Sequence, residues 1–287
     1  MATISNIKQW LEASEPDYYM MFVKAFIPYN AWYMTNFYSE DDKRTSDRAI
    51  MDFMKEAKPG ENVYKDKIIN LLKNKTSEAL AFQNYVANLH FELKSHPIPN
   101  VEEAISLSQV CISNETSDEY EPVEIDEYTY SARNDTTLPK SSPRWILEVI
   151  NTSTKDTEKM VNIYKPSLHE LVHNSDYIGL PSDKMREGLK MALNLVMPNR
   201  TESVVLKEYE GEVTDAPDDC IIIGDVKKVC LVNNRDKITR AIMQIIYELR
   251  CKLFHGEIAP TTDFKQVYKY AYYIQKMLKT DVLLYYI

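Results

Sequence analysis

Two residues near the carboxyl end of the chain form a pattern that suits chemistry on a phosphodiester. Arg250 and His255 stand five positions apart in the string Arg-Cys-Lys-Leu-Phe-His, and Gly256 follows them. A guanidinium can hold and neutralise phosphate oxygens through paired N–H donors, and an imidazole, which titrates near neutral pH, can accept or supply a proton. The pair therefore fits cleavage of RNA through its ribose 2′-hydroxyl without a metal ion, with Arg250 stabilising phosphate charge and His255 transferring the proton.

The segment that carries this pair has the strongest helical pattern in the sequence. Apolar residues recur at intervals of three and four from Asp236 to Phe254, and Gly256 is a typical residue just past a helix end. On the predicted helix, residues five apart lie about 140° from each other around the axis. One helix therefore cannot easily aim both side chains at one atom, and we expect a second element or a second copy of the chain to complete the site.

Charge is distributed unevenly along the chain. The whole sequence has 34 Lys and Arg against 43 Asp and Glu, a formal net charge of -9, which argues against a general coat for nucleic acid or anionic lipid. Between Lys227 and His255, however, the segment is +5, and the remainder of the chain is -14. The distribution predicts one narrow basic site for a polyanion beside the candidate pair. Its basic residues are Lys227, Lys228, Arg235, Lys237, Arg240, Arg250 and Lys252.

A second string has the spacing of a metal site. His169, Glu170 and His173 match H-E-x-x-H, in which two histidines one helical turn apart bind zinc and the glutamate acts as general base. Asn174 begins a polar run that ends the predicted helix early, and Glu187 is closer than the third ligand of glutamate-type zinc peptidases. We expect no metal and no other cofactor, and a zinc peptidase stays as the alternative that this string leaves open.

No segment resembles a membrane span or a secretion signal. Apolar runs never approach 18 residues, and the first twelve residues have neither an apolar core nor a cleavage pattern. The four cysteines form no C-x-x-C pair, which argues against a disulfide framework or a structural zinc site. The sequence therefore predicts a cytoplasmic protein without a membrane partner.

The elements that would position the pair are mostly helices. Helical patterns run over 17–38, 41–57 and 62–96, and Pro28 is expected to kink or break the first of them. The third can divide near Lys75 and Thr76, and a further helix follows Pro260, capped by Thr262 or Asp263. Tyrosines cluster in the first and last of these segments, which marks them as core or interface residues of one bundle. They are Tyr18, Tyr19, Tyr29, Tyr33, Tyr38, Tyr268, Tyr270, Tyr272, Tyr273, Tyr285 and Tyr286.

The middle of the chain, from about 101 to 235, differs in character. Short β-branched runs bounded by turn residues predict strands, Ser182 begins a helix that Pro198 ends, and the acidic stretch 115–135 reads as an exposed strand or loop. The strand runs are 145–150, 203–206, 220–223 and 226–232. We therefore predict an α+β fold, mainly α: a helical bundle built from 1–100 and 236–287, with 101–235 as an inserted mixed α/β segment of unknown role.

Two strings at opposite ends of the chain resemble one known family. The string Ile-Tyr-Glu-Leu-Arg-Cys-Lys-Leu-Phe-His-Gly at 246–256 resembles the signature helix of the HEPN (higher eukaryotes and prokaryotes nucleotide-binding) superfamily, with its R-x4-6-H motif. The string Phe-Val-Lys-Ala-Phe-Ile-Pro-Tyr-Asn-Ala-Trp-Tyr at 22–33 is similar to the first HEPN helix. The resemblance covers about 15–95 and 236–280, and the middle segment matches no family pattern.

The resemblance implies a helical bundle that forms a homodimer with a composite active site. It implies a metal-independent endoribonuclease that leaves 2′,3′-cyclic phosphate and 5′-hydroxyl ends, of the kind that serves as a toxin or anti-phage defence effector. An antitoxin or another defence-system protein would then be a partner, and RNA the substrate. Arg250 and His255 become the catalytic pair. The supporting or substrate-binding residues would be Asn30, Glu248, Cys251 and Lys252.

Two departures from the family pattern shape the alternatives. The family prefers Asn, Asp or His directly after the motif arginine, where this chain has Cys251. Some HEPN proteins are inactive, so a non-catalytic module that binds a nucleotide or a protein is the second reading. Gly256 and Glu257 follow His255, so the H-x-Y of the subgroup modified by a partner nucleotidyltransferase is missing.

Overall fold

The computed structural model describes residues 16–98, 105–112, 122–139, 141–197, 201–258 and 261–284. In chain order the elements are α1 (Tyr18–Phe37), α2 (Asp47–Glu56), α3 (Val63–Lys73), α4 (Ser77–Ser95), β1 (Val110–Cys111), β2 (Val123–Ile125), β3 (Tyr128–Asn134), β4 (Trp145–Asn151), β5 (Thr157–Ile163), α5 (Leu168–Val172), α6 (Ser175–Ile178), α7 (Asp183–Val196), β6 (Thr201–Glu202), β7 (Val205–Glu210), β8 (Cys220–Ile223), β9 (Lys227–Val232), α8 (Arg235–Phe254) and α9 (Thr262–Leu284). More residues lie in helices than in strands, and both are present, which confirms a mixed α+β fold.

The chain divides into two compact units. The first is discontinuous and contains Met1–Ile112 together with Glu202–Ile287, and the second contains Ser113–Thr201. This division differs from the predicted insertion, which began at 101 and ended at 235. The physical reason is that Ile221, Ile223, Val229 and Leu231, on β8 and β9, are buried in the same core as α4 and α8. The three-stranded antiparallel sheet β7-β9-β8 therefore belongs to the helical unit.

Side-chain caps set where the helices of the first unit begin. Ser46 accepts a hydrogen bond from Ala49 N at 3.3 Å, and Thr76 accepts one from Ala79 N at 3.2 Å. Asn234 caps α8 in the same way, from Lys237 N at 2.9 Å. Such caps satisfy backbone donors that lack a partner in the first turn. The cap at Thr76 divides the long predicted helix 62–96 into α3 and α4.

Helix α1 continues through Pro28, where a kink or break was predicted. The residues on either side of the proline share one buried face: Phe22, Phe26, Tyr29 and Tyr33 are all at most 3% exposed. That face packs in one core with α9, so tertiary burial holds the segment helical despite the lost N–H.

The two tyrosine clusters meet where α1 packs on α9. The rings of Tyr19 and Tyr268 lie 4.7 Å apart between centroids, and those of Tyr18 and Tyr273 lie 6.1 Å apart. Tyr268 is fully buried and its hydroxyl donates to Leu249 O at 3.0 Å, which ties α9 to α8. Tyr29, Tyr33 and Tyr268 are thus core residues of the helical unit, and Tyr18, Tyr19, Tyr270 and Tyr272 pack against that core partly buried. Tyr38 is exposed, contrary to the prediction, and Tyr285 and Tyr286 lie outside the described residues.

The second unit is an antiparallel sheet with helices. Its strands follow the order β2-β3-β4-β5, and α7 packs on β3 and β4. A Cβ at Gly188 of α7 would come within 2.5 Å of the Tyr130 ring, so the helix approaches the sheet closely only because this position is glycine. The acidic stretch contains the hairpin of β2 and β3. The strand β5 was not predicted.

Candidate active site

The end of α8 presents His255 to solvent. The helix ends at Phe254, and Gly256 adopts the left-handed conformation with φ of +69°. Glu257 N then donates to Lys252 O at 2.9 Å, a bond that closes the last turn as glycine-terminated helices commonly do. In the part of the chain that the structure describes, His255 has only backbone hydrogen bonds, and the residue is exposed. Its imidazole is therefore available to a ligand.

Arg250 is held in a partly enclosed site one turn earlier. Its Nη2 lies 2.9 Å from Asp47 Oδ2, and its guanidinium carbon lies 4.9 Å from the ring centroid of Phe254 and 5.7 Å from that of Phe26. The side chain is 19% exposed. Burial works against the charge of Arg250, but Cys251 and Asp47 outweigh it, so the pKa is raised and the guanidinium stays charged.

One guanidinium atom of Arg250 is not satisfied. Its Nε is buried and, among the described residues, has no hydrogen-bond partner. Its Nη1 has only the Cys251 thiol, at 3.8 Å, which is a weak acceptor. Because the single strong partner is Asp47, the Nη1 donors could bind a phosphate oxygen, whereas the buried Nε could not.

A polar chain behind Arg250 connects three helices. Asn30 on α1 donates from Nδ2 to Asp47 Oδ1 at 3.4 Å and to the Tyr33 hydroxyl. Burial, with the Asp47 carboxylate beside it, raises the pKa of Tyr33, so its hydroxyl stays protonated. Asp47 is the first residue of α2, where the helix dipole favours a carboxylate. The structure therefore brings the predicted residues Asn30 and Arg250 to one cluster, through Asp47 and Tyr33, which sequence reasoning missed.

Glu248 and Lys252 lie in other interactions. Glu248 Oε1 accepts from Arg48 Nη1 at 3.0 Å and from Gln244 Nε2 at 2.7 Å, within a network that also holds the buried Lys55. Lys252 forms an ion pair with Glu257 at the helix end. Of the four predicted supporting residues, Asn30 and Cys251 thus contact the Arg250 cluster directly. Glu248 and Lys252 contact other partners.

The predicted basic site is largely neutralised. Lys237 forms an ion pair with Glu202 at 2.6 Å, and Arg240 forms ion pairs with Glu56 at 2.6 Å and Asp236 at 2.7 Å. At a rise of 1.5 Å per residue, Arg240 lies about 22 Å along the helix from His255. The structure therefore does not gather the +5 segment into one basic cleft, and the charge nearest His255 comes from Arg250 and Lys252.

The H-E-x-x-H string does not form a zinc-peptidase helix. Helix α5 is five residues long, and the Glu170 carboxylate accepts backbone N–H groups from Tyr164 and, at 3.0 Å, Lys165. His173 Nδ1 lies 2.7 Å from His169 O, and the two rings lie 4.5 Å apart. Across the described ranges no three His, Cys, Asp or Glu side chains could together hold a metal ion. Glu170 thus stabilises a turn, and this geometry offers no third ligand.

The comparisons with known proteins add no relative to this picture. No protein-family model, no curated protein and no solved structure matches the chain significantly. None of the helices within the described residues is long and apolar enough to span a membrane.

Proposed function

We propose that this protein is a metal-independent endoribonuclease of the HEPN type, with Arg250 and His255 as its catalytic pair. The observation that supports this best is the end of α8, where an exposed imidazole follows a partly exposed guanidinium whose Nη1 has only a weak thiol partner. The helical unit that carries them would be the HEPN-like bundle. It would act in the cytosol as a toxin or an anti-phage effector, with an antitoxin or another defence protein as its regulator.

In the proposed reaction the ribose 2′-hydroxyl attacks the adjacent phosphorus, and the bond to the 5′-oxygen breaks. One imidazole removes the 2′-hydroxyl proton, and a second group must protonate the leaving oxygen. Arg250 neutralises the phosphorane oxygens while charge builds on them. The products are a 2′,3′-cyclic phosphate and a 5′-hydroxyl.

A homodimer would supply the second acid or base. The 140° separation on the helix keeps one copy's Arg250 and His255 from converging, whereas two copies of α8 facing each other across a two-fold axis would provide both pairs. The exposed side chain of Phe254 (52%), which lies against Arg250, supplies apolar surface for such a contact.

The test is RNA cleavage by the purified chain in the presence of EDTA. We expect cleavage that falls about 100-fold or more in His255→Ala and in Arg250→Ala, with new 5′ ends that a polynucleotide kinase labels directly. His173→Ala is the matched control, because it removes an exposed histidine from the other unit. Cleavage that is equal in all three variants would show that the activity belongs elsewhere.

The second candidate function is a non-catalytic HEPN module that binds a nucleotide or a protein. Two observations favour it. Cys251 replaces the polar residue of the family motif, and Arg250 already forms an ion pair with Asp47 in the single chain. This function predicts intact RNA with every variant, together with stoichiometric binding of a nucleotide that Arg250→Ala abolishes. Isothermal titration with a set of ribonucleotides distinguishes the two.

A further inference from the structure

Two cysteines lie on neighbouring strands of the helical unit. In the antiparallel pair β8 and β9, Cys220 is opposite Val232, and Cys230 is opposite Ile222. Side chains that are opposite or two positions apart share one face of a sheet, so Cys220 and Cys230 are diagonal neighbours on the same face. The other face carries the core residues Ile221 and Val229.

The two thiols interact, and their surroundings differ. Cys230 is fully buried, whereas Cys220 is partly exposed. Burial, together with a hydrogen bond to the Cys220 sulfur, raises the pKa of Cys230 to about 12. Cys230 therefore stays a protonated thiol that solvent oxidants do not reach, while Cys220 is the accessible member of the pair.

A third polar group lies on the same face. Tyr209 on β7 is opposite Lys228, which places it diagonally next to Cys230. Its hydroxyl is buried, and among the described residues it has no hydrogen-bond partner. On this face, Cys230 therefore lies between the Cys220 thiol and the Tyr209 side chain.

We propose that Cys220 and Cys230 are a redox-sensitive dithiol that hydrogen peroxide converts to an intrachain disulfide. The Cys220 sulfur attacks one peroxide oxygen, the O–O bond breaks, and water leaves, which gives a sulfenic acid. Cys230 then gives up its proton, its sulfur attacks the Cys220 sulfur, the S–O bond breaks, and the departing hydroxide takes up the proton and leaves as a second water. The two thiols lose two electrons in total, the peroxide gains them, and a thiol reductant reverses the reaction.

The disulfide would act on the strand that leads into α8. Strand β9 ends at Val232, and Asn234 caps the helix two residues later. A covalent bond between β8 and β9 therefore restrains the chain immediately before the first turn of α8. We expect amides of β8, β9 and that first turn to exchange hydrogen more slowly after oxidation.

The test is to treat the reduced full-length chain with hydrogen peroxide, denature it, alkylate free thiols and count them by mass spectrometry. We expect four alkylated cysteines before oxidation and two afterwards, and a peptide linked through Cys220 and Cys230 that dithiothreitol releases. Cys220→Ser should abolish the link. It changes the partly exposed member, so the core around Cys230 is kept.

The matched control is the double variant Cys111→Ser/Cys251→Ser, which should form the same link as the unaltered chain. Four alkylated cysteines after oxidation, or a Cys220 that proceeds to sulfinic acid without a link, would overturn the proposal. So would a disulfide from Cys220 to Cys111 or Cys251. None of these readouts depends on RNA cleavage, so the result stands apart from the proposed nuclease function.

Discussion

The two ends of α8 treat their polar side chains in opposite ways. Near its start, Asp236 accepts from Lys65 and Arg240 at 2.7 Å each, and Arg240 also reaches Glu56. At its end, His255 is exposed and has no side-chain partner within the described residues, and Arg250 pairs with a single carboxylate, Asp47. Matched polar groups stabilise a fold, whereas unmatched ones near solvent are free to bind. We therefore expect the start of α8 to matter for stability and its end for the proposed function.

The largest effect on the free energy of unfolding should come from Lys65, which pairs with Asp236 at the start of α8. Its ammonium is 3% exposed and donates to Lys55 O and Ala57 O at 2.7 Å, besides its ion pair with Asp236. Lys65→Met leaves these acceptors unpaired, so we expect the free energy of unfolding to fall by about 2–4 kcal/mol. Urea unfolding followed by circular dichroism measures it.

The control for that substitution lies on the same helix. Lys67 pairs with the exposed Glu78 at 3.0 Å, and Lys67→Met should cost less than about 1 kcal/mol. Equal losses for the two variants would contradict the view that burial of the network at the start of α8 is what matters.

A smaller effect, on catalysis, is expected from Asp47. Because its carboxylate orients Arg250, Asp47→Ala should lower the rate of RNA cleavage about tenfold, through a poorly placed guanidinium. Removal of a negative charge should leave RNA affinity unchanged or tighter, so the loss appears in kcat and not in KM. Asp42→Ala, which removes an exposed carboxylate paired with Arg44, is the control. Faster RNA cleavage by Asp47→Ala would mean that Asp47 keeps Arg250 from binding the phosphate.

The histidines extend the comparison to pH. His90 is buried with Nε2 3.0 Å from Glu208 Oε1, and burial lowers its pKa from the ordinary value of 6.5. As pH falls below 6.5 the unfolded chain takes up a proton that folded His90 does not, so the free energy of unfolding should decrease. Burial raises the pKa of Glu208, but its hydrogen bonds from Lys94 and His90 outweigh this and lower it from 4.5, which adds a loss of the same sign at lower pH.

The measurement is urea unfolding at several pH values between about 7 and 5. His90→Gln should be less stable at neutral pH and should flatten the slope. An unaltered slope in His90→Gln would show that another group governs the acid sensitivity.

The smallest effect on stability is expected at the functional end of α8. Phe254 is 52% exposed, and Phe254→Ser should change the free energy of unfolding by less than about 0.5 kcal/mol. RNA cleavage should nevertheless fall, because the ring packs on Arg250 and lies on the proposed dimer surface. Leu80→Ser, at a 48% exposed position on α4, is the control and should alter neither. Full activity in Phe254→Ser would remove this surface from the dimer.

Local signals in the sequence predicted most of the helices. Ser182, Thr76 and Gly256 act through neighbours within a few positions, so their roles can be recognised from sequence. The strand β5 was not predicted because its first four residues are exposed and show no alternation of apolar and polar side chains. Only Val161 and Ile163 are buried. The kink or break predicted at Pro28 was wrong because burial of α1 against α9 outweighs the free-energy cost of a proline inside a helix.

The interactions around the candidate site were less predictable. Asp47 precedes Arg250 by about two hundred positions, and no local pattern links them. Lysine is rarely buried, so sequence gives no sign that Lys55 and Lys65 are at most 3% exposed. The +5 segment does not form the predicted basic site because charge counted along a chain omits acidic partners from elsewhere. Folding places Glu56 and Glu202 against its basic side chains.

The discontinuous first unit has a consequence for synthesis on the ribosome. Helices α1 to α4 emerge before the whole of the second unit, and the two helices that cover their apolar faces emerge last. The nascent chain must therefore keep Phe22, Phe26 and Phe82 from aggregating until α9 arrives, a natural task for a chaperone. Arg250 and His255 belong to that late segment, so a truncated translation product contains the early helices without the candidate catalytic pair.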